Sequence, residues 1–106
     1  MTANRRTNTR RPVTRPYVAH LLSSSGRVAA VAVPADVSQG GFRTDVSGEY
    51  HAGDRLVLEI QNPHPLGGRR FPFVVVWSKK PGHGAEIGCA FVTEITSADL
   101  KALASG

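Results

Sequence analysis

The fold is decided by short alternating segments, of which RLVLEIQ, residues 55–61, is the clearest. Its apolar side chains Leu56, Leu58 and Ile60 recur at every second position. A period of two is that of a β-strand with one buried face. The segment therefore predicts a strand that packs one face on a hydrophobic core.

Similar segments occur on both sides of this strand. They are separated by groups of glycine, proline, serine, asparagine and aspartate, which favour turns. The six predicted strands are residues 17–22, 27–33, 42–45, 55–60, 71–78 and 86–93. Six strands with hairpin-length connections favour a closed barrel, because closure removes exposed sheet edges. We therefore predict an all-β fold, a six-stranded antiparallel β-barrel.

The end of the chain has a different pattern. The segment TSAD, residues 96–99, has the form of a capping box with Asp99 at the usual Glu position, and Leu100 and Leu103 follow it. This predicts one short C-terminal α-helix that packs its two leucines on the barrel. Residues 17–106 would then form a single domain.

The positive charge is concentrated at the start of the chain. Of the 13 lysines and arginines in the 106 residues, five lie in the first fifteen positions, where there is no acidic residue. Residues 16–106 therefore balance eight basic against eight acidic side chains. Because residues 1–16 also have few apolar groups, we predict a flexible arginine-rich arm.

Several function classes are excluded by composition. The length of 106 residues is about that of one domain, which excludes a two-domain enzyme. The single cysteine, Cys89, permits no intramolecular disulfide or cysteine zinc cluster, and the four histidines lack metal-ligand spacing. There is no nucleophile elbow and no phosphate-binding Gly-Lys loop. We expect neither an enzyme nor a cofactor, and the absence of a membrane span or secretory signal predicts a cytoplasmic protein without membrane insertion.

The single cysteine and the single tryptophan are both expected to have structural roles. Cys89 is expected to be a small core residue. Trp77 is expected in the core or at a barrel rim, with a partner contact as the alternative.

Two consecutive Arg-x-x-x-Arg patterns occur in the arm, Arg6 with Arg10 and Arg11 with Arg15. A guanidinium group presents a rigid fork of donors that matches phosphate oxygens and the O6/N7 edge of guanine. A solvated basic tail and a general polyanion-binding arm are alternatives. The spacing alone does not decide which pair would bind a ligand.

A second candidate segment is DVSQGG, residues 36–41. The carboxylate of Asp36 can accept from guanine N1–H and N2–H, and the Ser38 hydroxyl can donate or accept. Gly40 and Gly41 permit close approach of a ligand to the backbone. Considered alone, the segment predicts a turn between strands.

Together these segments resemble the PilZ domain family, bacterial receptors for the second messenger cyclic di-GMP. The family pattern is Arg-x-x-x-Arg followed by Asp or Asn-x-Ser-x-x-Gly, and here twenty residues separate Arg15 from Asp36. The resemblance extends from Arg10 to the terminal helix. It includes residues 41–43, 52–56, 74–77 and 87–92.

The resemblance implies a set of ligand-binding residues: Arg10, Arg11, Arg15, Asp36, Ser38, Gly40 and Gly41, with Arg6 as the alternative arginine. In this set Arg11 and Arg15 would grip phosphates and the Hoogsteen edge of a guanine. Asp36 and Ser38 would hydrogen-bond guanine.

Two further implications concern the turn and the arm. Gly41 would keep the turn open, and the arm would fold over the barrel when the ligand binds. Arg10, an extra arginine before the pair, is similar to one that favours two intercalated ligand molecules over one.

The function implied is a single-domain receptor that signals to an unidentified partner protein in trans, in motility, surface attachment or biofilm systems. One alternative is a small barrel that binds nucleic acid through its basic arm. The neutral body and the 7% aromatic content oppose it. The other is a PilZ-like adaptor that has lost ligand binding, which the intact motifs oppose.

Overall fold

The protein is described here by a computed structural model that covers residues 9–82 and 84–105. Its strands are β1 (Arg11–Pro12), β2 (Ala19–Leu22), β3 (Val28–Val37), β4 (Gly41–Val46), β5 (Arg55–Ile60), β6 (Arg70–Gly82) and β7 (Gly84–Phe91). One helix follows, α1 (Ser97–Ser105).

The strands form one closed antiparallel sheet. Their order is β1-β3-β2-β5-β6-β7-β4, and a further pairing between β3 and β4 closes the barrel. Strand β1 pairs with residues 36–37 of β3, beyond the part of β3 that pairs with β2. The predicted six-stranded antiparallel barrel with a C-terminal helix is confirmed, and β1 is a short addition to it.

The core lies inside the barrel and is built from alternate residues of each strand. Leu58 and Ile60 of β5 are buried as predicted, whereas Leu56 is half-buried nearer the strand's start. The Phe42 and Phe73 rings meet edge to face with centroids 4.9 Å apart. Cys89 lies in this core as predicted, and burial raises the pKa of its thiol to about 12. The thiol is therefore protonated near neutral pH.

Strand β3 is longer than the sequence predicts, because it continues past Val33 to Val37. Pro34 lacks an N–H for a regular ladder, and the register with β4 shifts between Pro34 and Asp36. This bulge lets the strand continue through the proline. Asp36 consequently lies on β3, and the prediction that it belongs to a turn is wrong; the turn begins at Ser38.

Helix α1 begins with the predicted cap. The Thr96 hydroxyl accepts a hydrogen bond from the Asp99 N–H at 3.0 Å, while the Asp99 carboxylate pairs with Arg69 at 2.9 Å. Leu100 and Leu103 are buried against the barrel as predicted. Within residues 9–82 and 84–105, no helix has the length and apolar character needed to cross a membrane.

The described part of the arm is docked on the barrel. Val13 N–H donates to the Ala35 carbonyl and Thr14 N–H donates to the Ala104 carbonyl of α1, both at 2.9 Å. The Val13 side chain packs against the core. The predicted mobility of the arm stays a prediction, and residues 1–8 lie outside the described residues.

His64 joins the β5–β6 loop to α1. Its Nδ1 accepts the Leu66 N–H at 3.0 Å, so Nε2 carries the proton and donates to the Ala102 carbonyl at 3.2 Å. The Tyr17 ring packs against the imidazole at a centroid distance of 4.5 Å. This cluster fixes the helix next to the start of β2.

Leu58→Ala should destabilise the barrel, because Leu58 is 1% exposed and its removal leaves a cavity. We expect a loss of about 2–5 kcal/mol in the free energy of unfolding, measured by urea denaturation. Val31→Ala is the control, since Val31 is 52% exposed, and should change stability by less than about 0.5 kcal/mol. Equal losses in the two variants would contradict this assignment of the core.

Candidate functional site

A cavity of about 300 Å³ lies on the outer surface of the barrel, beside the turn that joins β3 to β4. Ile87 and Cys89 point into the core, so Gly88 between them faces outward and contributes to the cavity. The lining residues are Arg10, Ser38, Gly40, Gly41, Phe42, Val76, Trp77, Gly88, Cys89 and Ala90. The cavity therefore combines the arm, the turn and the outer face of three strands.

The strand register explains why these elements meet. Asp36 of β3 lies opposite Arg43 of β4, Arg43 lies opposite Gly88 of β7, and Gly88 lies opposite Trp77 of β6. Residues that are paired across neighbouring strands share a face of the sheet. The four residues thus form one row across the outside of the barrel.

Trp77 lies on Gly88, and the glycine is what makes room for it. A Cβ at position 88 would overlap the indole ring. The indole is half-buried, and the Lys79 ammonium lies 5.3 Å from its centroid. Trp77 is therefore part of the cavity wall on the outer face, so the predicted core position is wrong, while the rim position stays a prediction. A glycine between buried residues of a strand is the sequence signal of such a close approach.

The turn after β3 is held by Ser38. Ser38 N–H donates to the Gly41 carbonyl at 2.7 Å, and Gly41 N–H donates to the Ser38 hydroxyl at 3.2 Å. A Cβ at Gly41 would overlap the Cys89 carbonyl oxygen of β7, while the role of Gly41 in keeping the turn open stays a prediction. Glycine at this position lets β4 and β7 pair closely.

Asp36 does not line the cavity itself but contacts a residue that does. Its Oδ1 accepts from Arg10 at 3.3 Å, and its Oδ2 accepts from Arg43 at 2.8 Å. Arg43 also donates to Glu86 of β7. The hydrogen bonds to Asp36 and Glu86 raise the pKa of the Arg43 guanidinium above its ordinary value, and the bond to Asp36 contributes most. The result is a chain of alternating charges that ends at the cavity.

The candidate arginines are distributed over separate surfaces. Arg10 lines the cavity, whereas Arg11 lines a depression beside α1 and Arg15 lines another beside residues 61–65. Successive side chains of an extended segment point to opposite sides, which separates Arg10 from Arg11. Arg6 lies outside the described residues.

The site offers binding chemistry. An arginine and a lysine supply positive charge for an anion, and the indole supplies a surface for a planar ring. In the described part of the chain, no group of three histidine, cysteine or acidic side chains is arranged to hold a metal ion. The geometry suits a ligand that is both anionic and aromatic.

Comparison with known proteins gives a family and a fold. Residues 4–105 match the PilZ domain family. Among solved structures, the fold is similar to the PilZ domain with c-di-GMP of YcgR from Escherichia coli, with a TM-score of 0.67 and 16% sequence identity over 93% of this chain and 86% of that chain. At that identity the likeness shows a shared fold. No curated protein sequence matches.

Gly88→Ala should displace the indole of Trp77, because the added methyl group occupies the position of the ring. The chain has one tryptophan, so tryptophan fluorescence reports on the surroundings of this indole. We expect red-shifted emission and stronger quenching by acrylamide. Gly67→Ala is the control, since a Cβ there meets Asn62 in the β5–β6 loop and should leave the emission unchanged. An unaltered spectrum in Gly88→Ala would show that the indole lies elsewhere.

Proposed function

The chain belongs to the PilZ domain family, and from this premise we propose that it is a receptor for cyclic di-GMP and not an enzyme. The observation that carries the proposal is the cavity shared by Arg10, the Ser38–Gly41 turn and Trp77. These residues come from the arginine-rich arm, from the Asp-x-Ser-x-x-Gly motif and from strand β6. The similarity to a PilZ domain described with c-di-GMP supports the same ligand class.

The chemistry of the ligand matches the cavity. Cyclic di-GMP has two phosphates and two guanines. Arg10 would bind a phosphate through its guanidinium fork, and the Trp77 indole would stack on a guanine. The Lys79 ammonium beside the indole adds positive charge. Asp36 would accept from the N1–H and N2–H of guanine.

Arg11 and Arg15 would reach the ligand by movement of the arm. Strand β1 has only two residues, and the backbone of the arm makes few bonds to the barrel. Each such bond contributes about 0.5–1.5 kcal/mol, whereas a charge-assisted hydrogen bond contributes about 1.5–3 kcal/mol. Exchange of the former for the latter is therefore favourable.

Movement of the arm would also change the surface at α1, because Thr14 N–H donates to the Ala104 carbonyl in the docked arrangement. A partner protein in trans would read this change as a difference between two states. We propose that this is the output of the receptor, in motility, surface attachment or biofilm systems of a cytoplasmic signalling pathway.

Arg10→Ala and Arg15→Ala should each weaken cyclic di-GMP binding at least about tenfold, equivalent to about 1.4 kcal/mol. Each removes a guanidinium group that would bind the ligand. Isothermal titration calorimetry measures the affinities. Arg27→Ala removes the same charge from an exposed position between β2 and β3 and should bind like the unaltered protein. If Arg10→Ala and Arg15→Ala bind cyclic di-GMP as tightly as Arg27→Ala and the unaltered protein, the assigned roles are refuted.

The same titration separates the alternatives. Absence of binding by the unaltered protein would favour a PilZ-like adaptor without a ligand. A nucleic-acid-binding barrel would instead bind DNA or RNA with an affinity that falls steeply with salt, because bound counterions are released.

A further inference from the structure

Asp36 has an arginine on each of its carboxylate oxygens. Arg43 Nε donates to Oδ2 at 2.8 Å, and Arg10 donates to Oδ1 at 3.3 Å. The Asp36 side chain is 15% exposed, so these two partners provide much of its hydrogen bonding. The two arginines differ in how firmly each is held.

Arg43 is fixed in the barrel. It lies directly opposite Asp36 in the β3–β4 pairing, its side chain is 33% exposed, and it also bonds to Glu86 of β7. An arginine between two carboxylates has its charge balanced, and its fork is already occupied on both sides. It is therefore held in place and is poorly suited to bind a ligand phosphate.

Arg10 is held only loosely. It precedes β1, its side chain is 54% exposed, and its bond to Asp36 is the longer of the two. An ion pair of this exposure contributes about 0–1 kcal/mol. Arg10 also lines the cavity, so a phosphate that enters there competes directly with Asp36 for the same guanidinium group.

We propose that Arg43 is a positioning residue for nucleobase recognition, an inference that rests on the proposed function. It holds Asp36 by Oδ2, so that Oδ1 remains directed toward Arg10, which lines the cavity. When the ligand binds, Arg10 exchanges Oδ1 for a phosphate, and the vacated oxygen accepts from the guanine edge. Glu86 keeps Arg43 from turning toward the phosphate itself.

This arrangement selects guanine. A carboxylate only accepts hydrogen bonds, and guanine presents the adjacent N1–H and N2–H donors. Adenine presents an unprotonated N1 at the corresponding position, which would repel the carboxylate oxygen. A fixed orientation of Asp36 therefore gives discrimination, and a free carboxylate would lose much of it.

Arg43→Gln should lower the ratio of affinities for cyclic di-GMP over cyclic di-AMP about tenfold, as measured by calorimetry. In an Asp36→Asn background the same substitution should change the ratio little, because its effect passes through Asp36. Arg43→Lys keeps the charge but lacks the planar guanidinium group with its fixed donor directions, so it should reduce the ratio as well. Arg70→Gln is the control: it removes the ion pair with Glu59 on the outside of the barrel.

The outcomes separate this inference from the proposed function. If the unaltered protein binds cyclic di-GMP and Arg43→Gln keeps its discrimination, or loses it equally in both backgrounds, Arg43 has no positioning role while the receptor assignment stands. If the unaltered protein does not bind cyclic di-GMP, both fail.

A measurement without ligand tests the two arginines directly. In nuclear magnetic resonance spectra, the Arg43 Nε–H should exchange slowly with water and lose this protection in Asp36→Asn. The Arg10 Nε–H should exchange rapidly in both proteins. The opposite order of protection would overturn the inference.

Discussion

The pairing of β3 with β4 is the constraint on which the site depends. It closes the barrel, and its register sets Asp36 opposite Arg43. The next two pairings carry the same row to Gly88 and Trp77. Without closure, β3 and the arm that pairs with it would lie near the opposite edge of an open sheet from β4, β7 and the Trp77 indole of β6.

The charges of the site follow from the same closure. Asp36, Arg43 and Glu86 come from three adjacent strands and alternate in sign. Arg10 adds a fourth charge from the arm, at the end that meets the cavity. The three barrel groups sum to one negative charge, and Arg10 from the arm brings the set of four to neutrality. A ligand anion would act on Arg10, the most exposed of these four charged side chains.

Much of the fold could be predicted from sequence, because the barrel depends on local alternation and turns. Leu58 and Ile60 show their buried face in the sequence, and the helix cap at Thr96 is equally local. The position of Asp36 could not be predicted, since the bulge after Pro34 becomes visible only when β4 is paired.

The site was predictable only where a motif marked it. The motifs identified Arg10 and Ser38, which line the cavity, but assigned no binding role to Arg43. Its two ion pairs depend on the long-range pairing that brings Asp36 and Glu86 to either side of it. Trp77 was missed for a similar reason, because its role depends on the absence of a side chain at Gly88 on a different strand.

At two points the wall of the cavity is formed by residues whose side chains pack in the hydrophobic core. Phe42 and Cys89 line the cavity, yet their side chains belong to the hydrophobic core. Protein interiors are closely packed, so a change of volume in the core displaces the backbone beside it. A substitution that changes the volume of Phe42 or Cys89 is consequently expected to alter the shape of the cavity as well as the stability of the barrel, although it changes none of the polar groups that line the cavity.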